Sequence, residues 1–147
     1  MAKKLKVLFV CTGNACRSQM AEGFARRLQG GVVEPWSAGV MPCWVDPRAI
    51  QVMREVGIDI TRQRSKHVDE VKGMPFDAVV MLCDYAASTC GTFPKVDNII
   101  EFVVEDPPGA TRRMRREDQK LEVYRRVRDR IRGFVERMDE KIKGPKD

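Results

Sequence analysis

A chain of 147 residues with 43% hydrophobic and 33% charged side chains has the make-up of one globular domain, residues 1–147, able to bury roughly two thirds of its unfolded surface without disulfide staples. No apolar stretch approaches the ~20 residues of a membrane span, and the run Val7 to Val10 is too short for a signal-peptide core, so a cytoplasmic location without a membrane partner is expected. The net charge of +6 resides in Thr111 to Asp147, with 14 Lys or Arg against 8 Asp or Glu, but interleaved acidic residues and a polar face without aromatics argue against a nucleic-acid partner.

The first β-branched apolar run, Leu5 to Val10, predicts a strand that ends at "CTGNACRS", Cys11 to Ser18, ahead of a helical pattern from Gln19 to Leu28. A strand that feeds a helix through a short loop leaves unpaired N–H groups at the helix start, where the dipole also favours negative charge. Such a loop can cradle a tetrahedral oxyanion. Cys11 would lie beneath the anion as a nucleophile, and Arg17 would offer a planar fork to two of its oxygens. Gly13 and Asn14 tolerate the left-handed backbone that converging amides need, Thr12, Ala15 and Cys16 would add loop backbone, and Ser18 could donate to the Cys11 sulfur. Converging donors and a guanidinium favour a thiolate at Cys11.

A second strand is expected around Val32 to Trp36. The helix Pro47 to Val56 follows, with Asp46 as its cap and Gly57 as its stop, and then a short helical piece near Val68 to Lys72. The third strand, Phe76 to Leu82, delivers Cys83, and "DYAASTC" after it reads as helical. The fourth, Ile99 to Val104, is followed by Asp106 in "EDPPG". Tyr124, Val127, Ile131, Phe134, Met138 and Ile142 then recur at the spacing of an amphipathic helix. Strands alternating with helices predict an α/β domain of three layers, a four-stranded parallel sheet with helices on both faces. Ligands of such sheets bind beyond the carboxyl ends of the strands, where Cys11, Cys83 and Asp106 would gather.

Five cysteines in a chain expected to be cytoplasmic argue for reactive thiols or metal ligands over a disulfide framework. Zinc on Cys11, Cys16, Cys83 and Cys90 would satisfy a ligand count, yet it would bury the loop under a metal and set Arg17 against a cation. No metal and no cofactor is expected.

The spacing Cys11, five residues, Arg17-Ser18, together with "SAG" at Ser37 to Gly39, resembles the low-molecular-weight protein tyrosine phosphatases along nearly the whole chain. More closely, "CTGNACRSQMAEGF", "CDYAASTC" and "EDPPG" resemble the arsenate reductases built on that phosphatase fold and recycled by thioredoxin. "EDPP" lacks the aromatic residue that the phosphatases place after Asp-Pro. The resemblance implies that Cys11 is the nucleophile, that Arg17 and the loop backbone bind arsenate, that Cys83 and Cys90 form the redox pair, and that thioredoxin is the reductant. It casts Asp106 as a general acid, or as a helper in deprotonating Cys83. Asn14, Glu22 and Ser37 would frame a monovalent cation. Reducing arsenate consumes two electrons that a dithiol must supply, whereas hydrolysing a phosphoester needs one nucleophile and a proton donor, so the spare thiols favour the reductase over a phosphotyrosine phosphatase. Cys16 could trap oxidised Cys11 as a protective disulfide. Cys43 and the sole histidine, His67, receive no role, and a monomer is expected.

Overall fold

Four consecutive residues of the first strand, Val7, Leu8, Phe9 and Val10, are wholly buried in the computed structural model, which describes residues 3–143 apart from 90 and 92. Alternate strand side chains point to opposite faces, so this burial requires cover on both sides of the sheet. The strands are β1 (Leu5–Cys11), β2 (Val33–Gly39), β3 (Ala78–Met81) and β4 (Ile99–Glu101), all parallel, in the order β2-β1-β3-β4. The helices are α1 (Arg17–Gln29), α2 (Pro47–Glu55), α3 (Asp84–Thr89), α4 (Pro107–Thr111) and α5 (Glu117–Lys143). Helix α1 packs on β1, β2 and α5, while α2 and α4 also lean on α5, and α3 packs on β1 and β3. This is the α/β architecture that the alternating pattern predicts.

Several boundaries differ from the sequence reading, each for a tertiary reason. Strand β2 runs on to Gly39 because Ser37, Ala38 and Gly39, poor strand formers, pair with Phe9, Val10 and Cys11 of the buried central strand. Strands β3 and β4 are shorter than predicted. Their continuations bond singly instead, Leu82 N–H to the Val10 carbonyl and Val104 N–H to the Leu82 carbonyl. Helix α1 starts two residues earlier, which puts Arg17 and Ser18 in its first turn. The piece near Val68 is a 3₁₀ turn, Val68–Glu70, capped by half-exposed His67, whose Nδ1 accepts the Asp69 N–H at 3.0 Å. Helix α4 was not anticipated; prolines in its first turn hold it directly after Asp106.

Other local signals act as read. Asp46 caps α2 by accepting the Arg48 N–H at 2.9 Å, and Gly57 stops the helix with φ of +80°. The apolar stripe Tyr124, Val127, Ile131, Phe134 and Met138 is the buried face of α5. Among the described residues no helix is long and apolar enough to cross a membrane.

Candidate active site

Strand β1 ends level with β2, Cys11 opposite Gly39, and the chain then turns through residues 12–16 into α1. Asn14 holds this turn with φ of +48°, the one positive value among the described non-glycine residues. Its side chain bonds at both ends. Oδ1 accepts the Lys66 N–H at 2.9 Å, which fixes the amide so that Nδ2 donates to Ser18 Oγ at 2.7 Å. Ser18, accepting that bond, keeps its own proton free for Cys11 Sγ 2.9 Å away. Gln19 Nε2 closes the turn on the Asn14 carbonyl at 2.9 Å.

The segment after β2 braces the loop from outside. Met41 N–H reaches the Thr12 carbonyl at 2.8 Å, Cys43 N–H the Gly13 carbonyl at 3.1 Å, and Asp46 N–H the Ala15 carbonyl at 2.8 Å. Since C=O and N–H of a trans peptide point in opposite directions, drawing these carbonyls outward turns the amides that follow them inward. A Cβ on Gly39 would meet Asn14 N and the Thr12 carbonyl oxygen at 2.6 Å each, so only glycine lets the strand approach this closely.

Arg17 is 6% exposed, its Nη1 donating to the Val104 carbonyl at 3.1 Å and its Nη2 lying 3.5 Å from Asp106 Oδ1. Asp106 itself is half-exposed at the start of α4. Between loop, guanidinium and carboxylate lies a cavity of about 190 Å³ whose wall includes Cys11, Gly13, Ala15 and Arg17. A larger cavity of about 630 Å³, bounded by Glu22, Trp36 and Arg62, contains no thiol. Amides, a guanidinium and a sulfur accepting a hydrogen bond around the smaller space suit a tetrahedral oxyanion and a thiolate attack upon it.

Cys83, two residues beyond β3, is buried with its Sγ 3.2 Å from Thr12 Oγ1, and it accepts the Ala86 N–H of α3 at 3.3 Å. The structure thus brings Cys11, Thr12, Gly13, Asn14, Ala15, Cys16, Arg17, Ser18, Cys83 and Asp106 to one edge of the sheet. Cys90 lies outside the described residues. Burial, reinforced by the Asp46 carboxylate, pushes the Cys16 thiol well above its usual range, so it stays protonated.

Two features escape the sequence reading. Cys43 lines the oxyanion cavity, with its Sγ 3.7 Å from the Gly13 carbonyl. Tyr124 of α5 donates its hydroxyl to Asp46 Oδ2 at 2.6 Å, and burial together with that carboxylate drives the phenol far above its ordinary value. This bond ties α5 to the segment that braces the loop, across 78 positions of sequence.

The residues expected to frame a monovalent cation bond to the protein's own groups. Asn14 Oδ1 accepts from Lys66 N, Ser37 Oγ donates to Glu22 Oε1, and Glu22 Oε2 accepts from Arg26. The largely buried Lys66 ammonium and Arg26 already supply positive charge beside Glu22.

The profile of the family described as low molecular weight phosphotyrosine protein phosphatase matches residues 6–144, and the chain belongs to this family. Within it, the chain is 40% identical over 131 residues to an arsenate reductase of Halalkalibacterium halodurans, covering 89% of this chain and 91% of that one. It is 38% identical over 137 residues to a glutaredoxin arsenate reductase of Synechocystis, covering 93% and 98%. A solved arsenate reductase in its phosphate-binding state superposes with a TM-score of 0.80 at 38% identity, over 94% of this chain and 98% of that chain.

Proposed function

We propose that the chain reduces arsenate to arsenite through a relay of three thiols. The observation that carries this reading is the 3.2 Å contact between Thr12 and Cys83, which seats a second thiol against the Cys11 loop where hydrolysis would need none. The reductases among its relatives support it.

Arsenate lies on the loop amides and the Arg17 fork. The Cys11 thiolate bonds to arsenic, and an oxygen leaves as water with a proton from Asp106. Cys83 attacks the Cys11 sulfur, the S–As electron pair stays on arsenic, and arsenite departs, leaving a Cys11–Cys83 disulfide. Cys90 then attacks Cys83 and frees the Cys11 thiolate. The Cys83–Cys90 disulfide passes its oxidation to thioredoxin, and the protein works as a cytoplasmic monomer.

The test is arsenate-dependent NADPH oxidation with thioredoxin and thioredoxin reductase, run beside glutathione with glutaredoxin and beside hydrolysis of an aryl phosphate. Turnover with thioredoxin supports the relay as written. Turnover with glutaredoxin alone replaces the reductant, in keeping with the name of the Synechocystis relative. Brisk hydrolysis with no reduction would establish the second reading, a phosphotyrosine phosphatase, which is compatible with the family match.

A further inference from the structure

Next to the oxyanion pocket, across a lip shared by Ala15, Cys43 and Pro108, lies a second cavity of about 360 Å³. Trp44, 73% exposed, stands over it, and Arg112 and Lys120 reach in from the end of α4 and the first turn of α5. The charges around it do not cancel. Arg48 is held by both oxygens of Glu117, at 2.8 and 2.9 Å, and Asp46 below has one oxygen on the Arg48 N–H and the other on the Tyr124 hydroxyl. Arg112 and Lys120 make no ion pair and no side-chain hydrogen bond with any described residue. Asp106 lines the oxyanion pocket and not this cavity, and its carboxylate is 3.5 Å from the Arg17 guanidinium. The uncompensated charge at the second cavity is therefore the positive charge of Arg112 and Lys120.

A free oxyanion on the loop leaves this cavity empty. A phosphate ester does not, because its organic body can leave the pocket over the shared lip, where an anionic group on that body is attracted by Arg112 and Lys120. We propose that the cavity is a second anion subsite, which takes a carboxylate carried beside the phosphorylated side chain of an acidic phosphopeptide while the phosphate occupies the Cys11 loop. This rests on the reading of that loop as an oxyanion site. Hydrolysis there is balanced without a redox partner: the Cys11 thiolate takes the phosphoryl group, Asp106 protonates the leaving phenolate, and water then cleaves the S–P bond to inorganic phosphate.

The experiment compares kcat/KM for two phosphotyrosine peptides, one flanked by Asp and one by Asn at the same positions, with an aryl phosphate and arsenate reduction measured alongside. Two exposed ion pairs imply that the wild-type protein favours the Asp peptide by roughly 3- to 10-fold, fading as salt is raised. The Arg112→Ala, Lys120→Ala double variant should lose that preference while retaining aryl phosphate hydrolysis and arsenate reduction, and Arg112→Glu should tilt it toward the Asn peptide. No wild-type preference, or one that survives in the double variant, overturns the subsite. If neither peptide is cleaved while the aryl phosphate is, the subsite falls and the loop reading stands. Absence of both aryl phosphate hydrolysis and arsenate reduction removes the loop reading and the subsite with it.

Discussion

Thr12 Oγ1 and Cys83 Sγ lie 3.2 Å apart, joining the loop after β1 to the turn after β3 across 71 positions of sequence. The contact seats the second thiol beside the first without making it part of the oxyanion cradle. Cys83→Ser should therefore stop multiple-turnover arsenate reduction yet spare aryl phosphate hydrolysis, whereas Cys11→Ser should abolish both. Parallel assays of the two activities check this, and equal loss of both in Cys83→Ser would point to a damaged loop.

Ser18 is aimed at Cys11 by a chain that begins at the Lys66 N–H and passes through the Asn14 amide. A hydrogen bond to a charged sulfur stabilises it by ~1.5–3 kcal/mol, so Ser18→Ala should cut kcat/KM for both substrates by roughly 10- to 100-fold. Alkylation of Cys11 by iodoacetamide should slow in the same variant. An unchanged alkylation rate would show that Ser18 does not act on the thiol.

Gly39 touches backbone, which cannot swing aside as a side chain can. We expect Gly39→Ala to cost about 1–3 kcal/mol of stability by overpacking and to lower activity more than tenfold by shifting Thr12 and Asn14. Urea denaturation and steady-state assays measure the two effects. Wild-type activity in this variant would mean that the close approach does not shape the loop.

Helix α3, Asp84–Thr89, follows Cys83, whose carbonyl accepts the Ala87 N–H at 3.1 Å. Six residues of helix rise ~9 Å, and a disulfide tolerates Cα atoms no more than ~7 Å apart. Forming Cys83–Cys90 should thus unwind α3 and expose its amides to exchange. Hydrogen exchange on reduced and oxidised protein tests this: equal protection across residues 84–89 in a verified Cys83–Cys90 disulfide would rule out the rearrangement.

Glu55 joins α2 to α5 through Arg125, at 2.8 and 2.9 Å, and through Arg128 at 2.9 Å. Hydrogen bonds from Arg125 first, and then from Arg128, hold its carboxyl below the usual carboxylate range. A depressed folded value contributes stability above the unfolded pKa of ~4.3, and the contribution is lost as pH falls through the folded value. Because the side chain is one third exposed, Glu55→Gln should cost only ~1 kcal/mol at pH 7. The gap between variant and wild type should close in acid, and a gap that persists at low pH in urea denaturation would assign the loss to packing.

What the sequence determined by itself is local. The Cys11 loop runs eight residues, Cys11 to Ser18, and its turn-formers act over distances the chain sets directly, so the oxyanion cradle, the capped α2 and the stripe of α5 are legible in residue order. The parallel sheet is legible too, because the alternation of apolar runs with helical spacing leaves few other ways to bury both. The tertiary structure decided the rest. Arg17 owes its placement to the Val104 carbonyl, the Asn14 amide its orientation to Lys66 N, and the loop-bracing segment its anchor to Tyr124, contacts 87, 52 and 78 residues apart. Strand β2 reaches Gly39, and Cys43 and Trp44 come to the pocket, only because β1 lends its ladder to "SAG". Such contacts depend on how elements pack after the sheet has formed. Residue order carries no periodicity that would announce them.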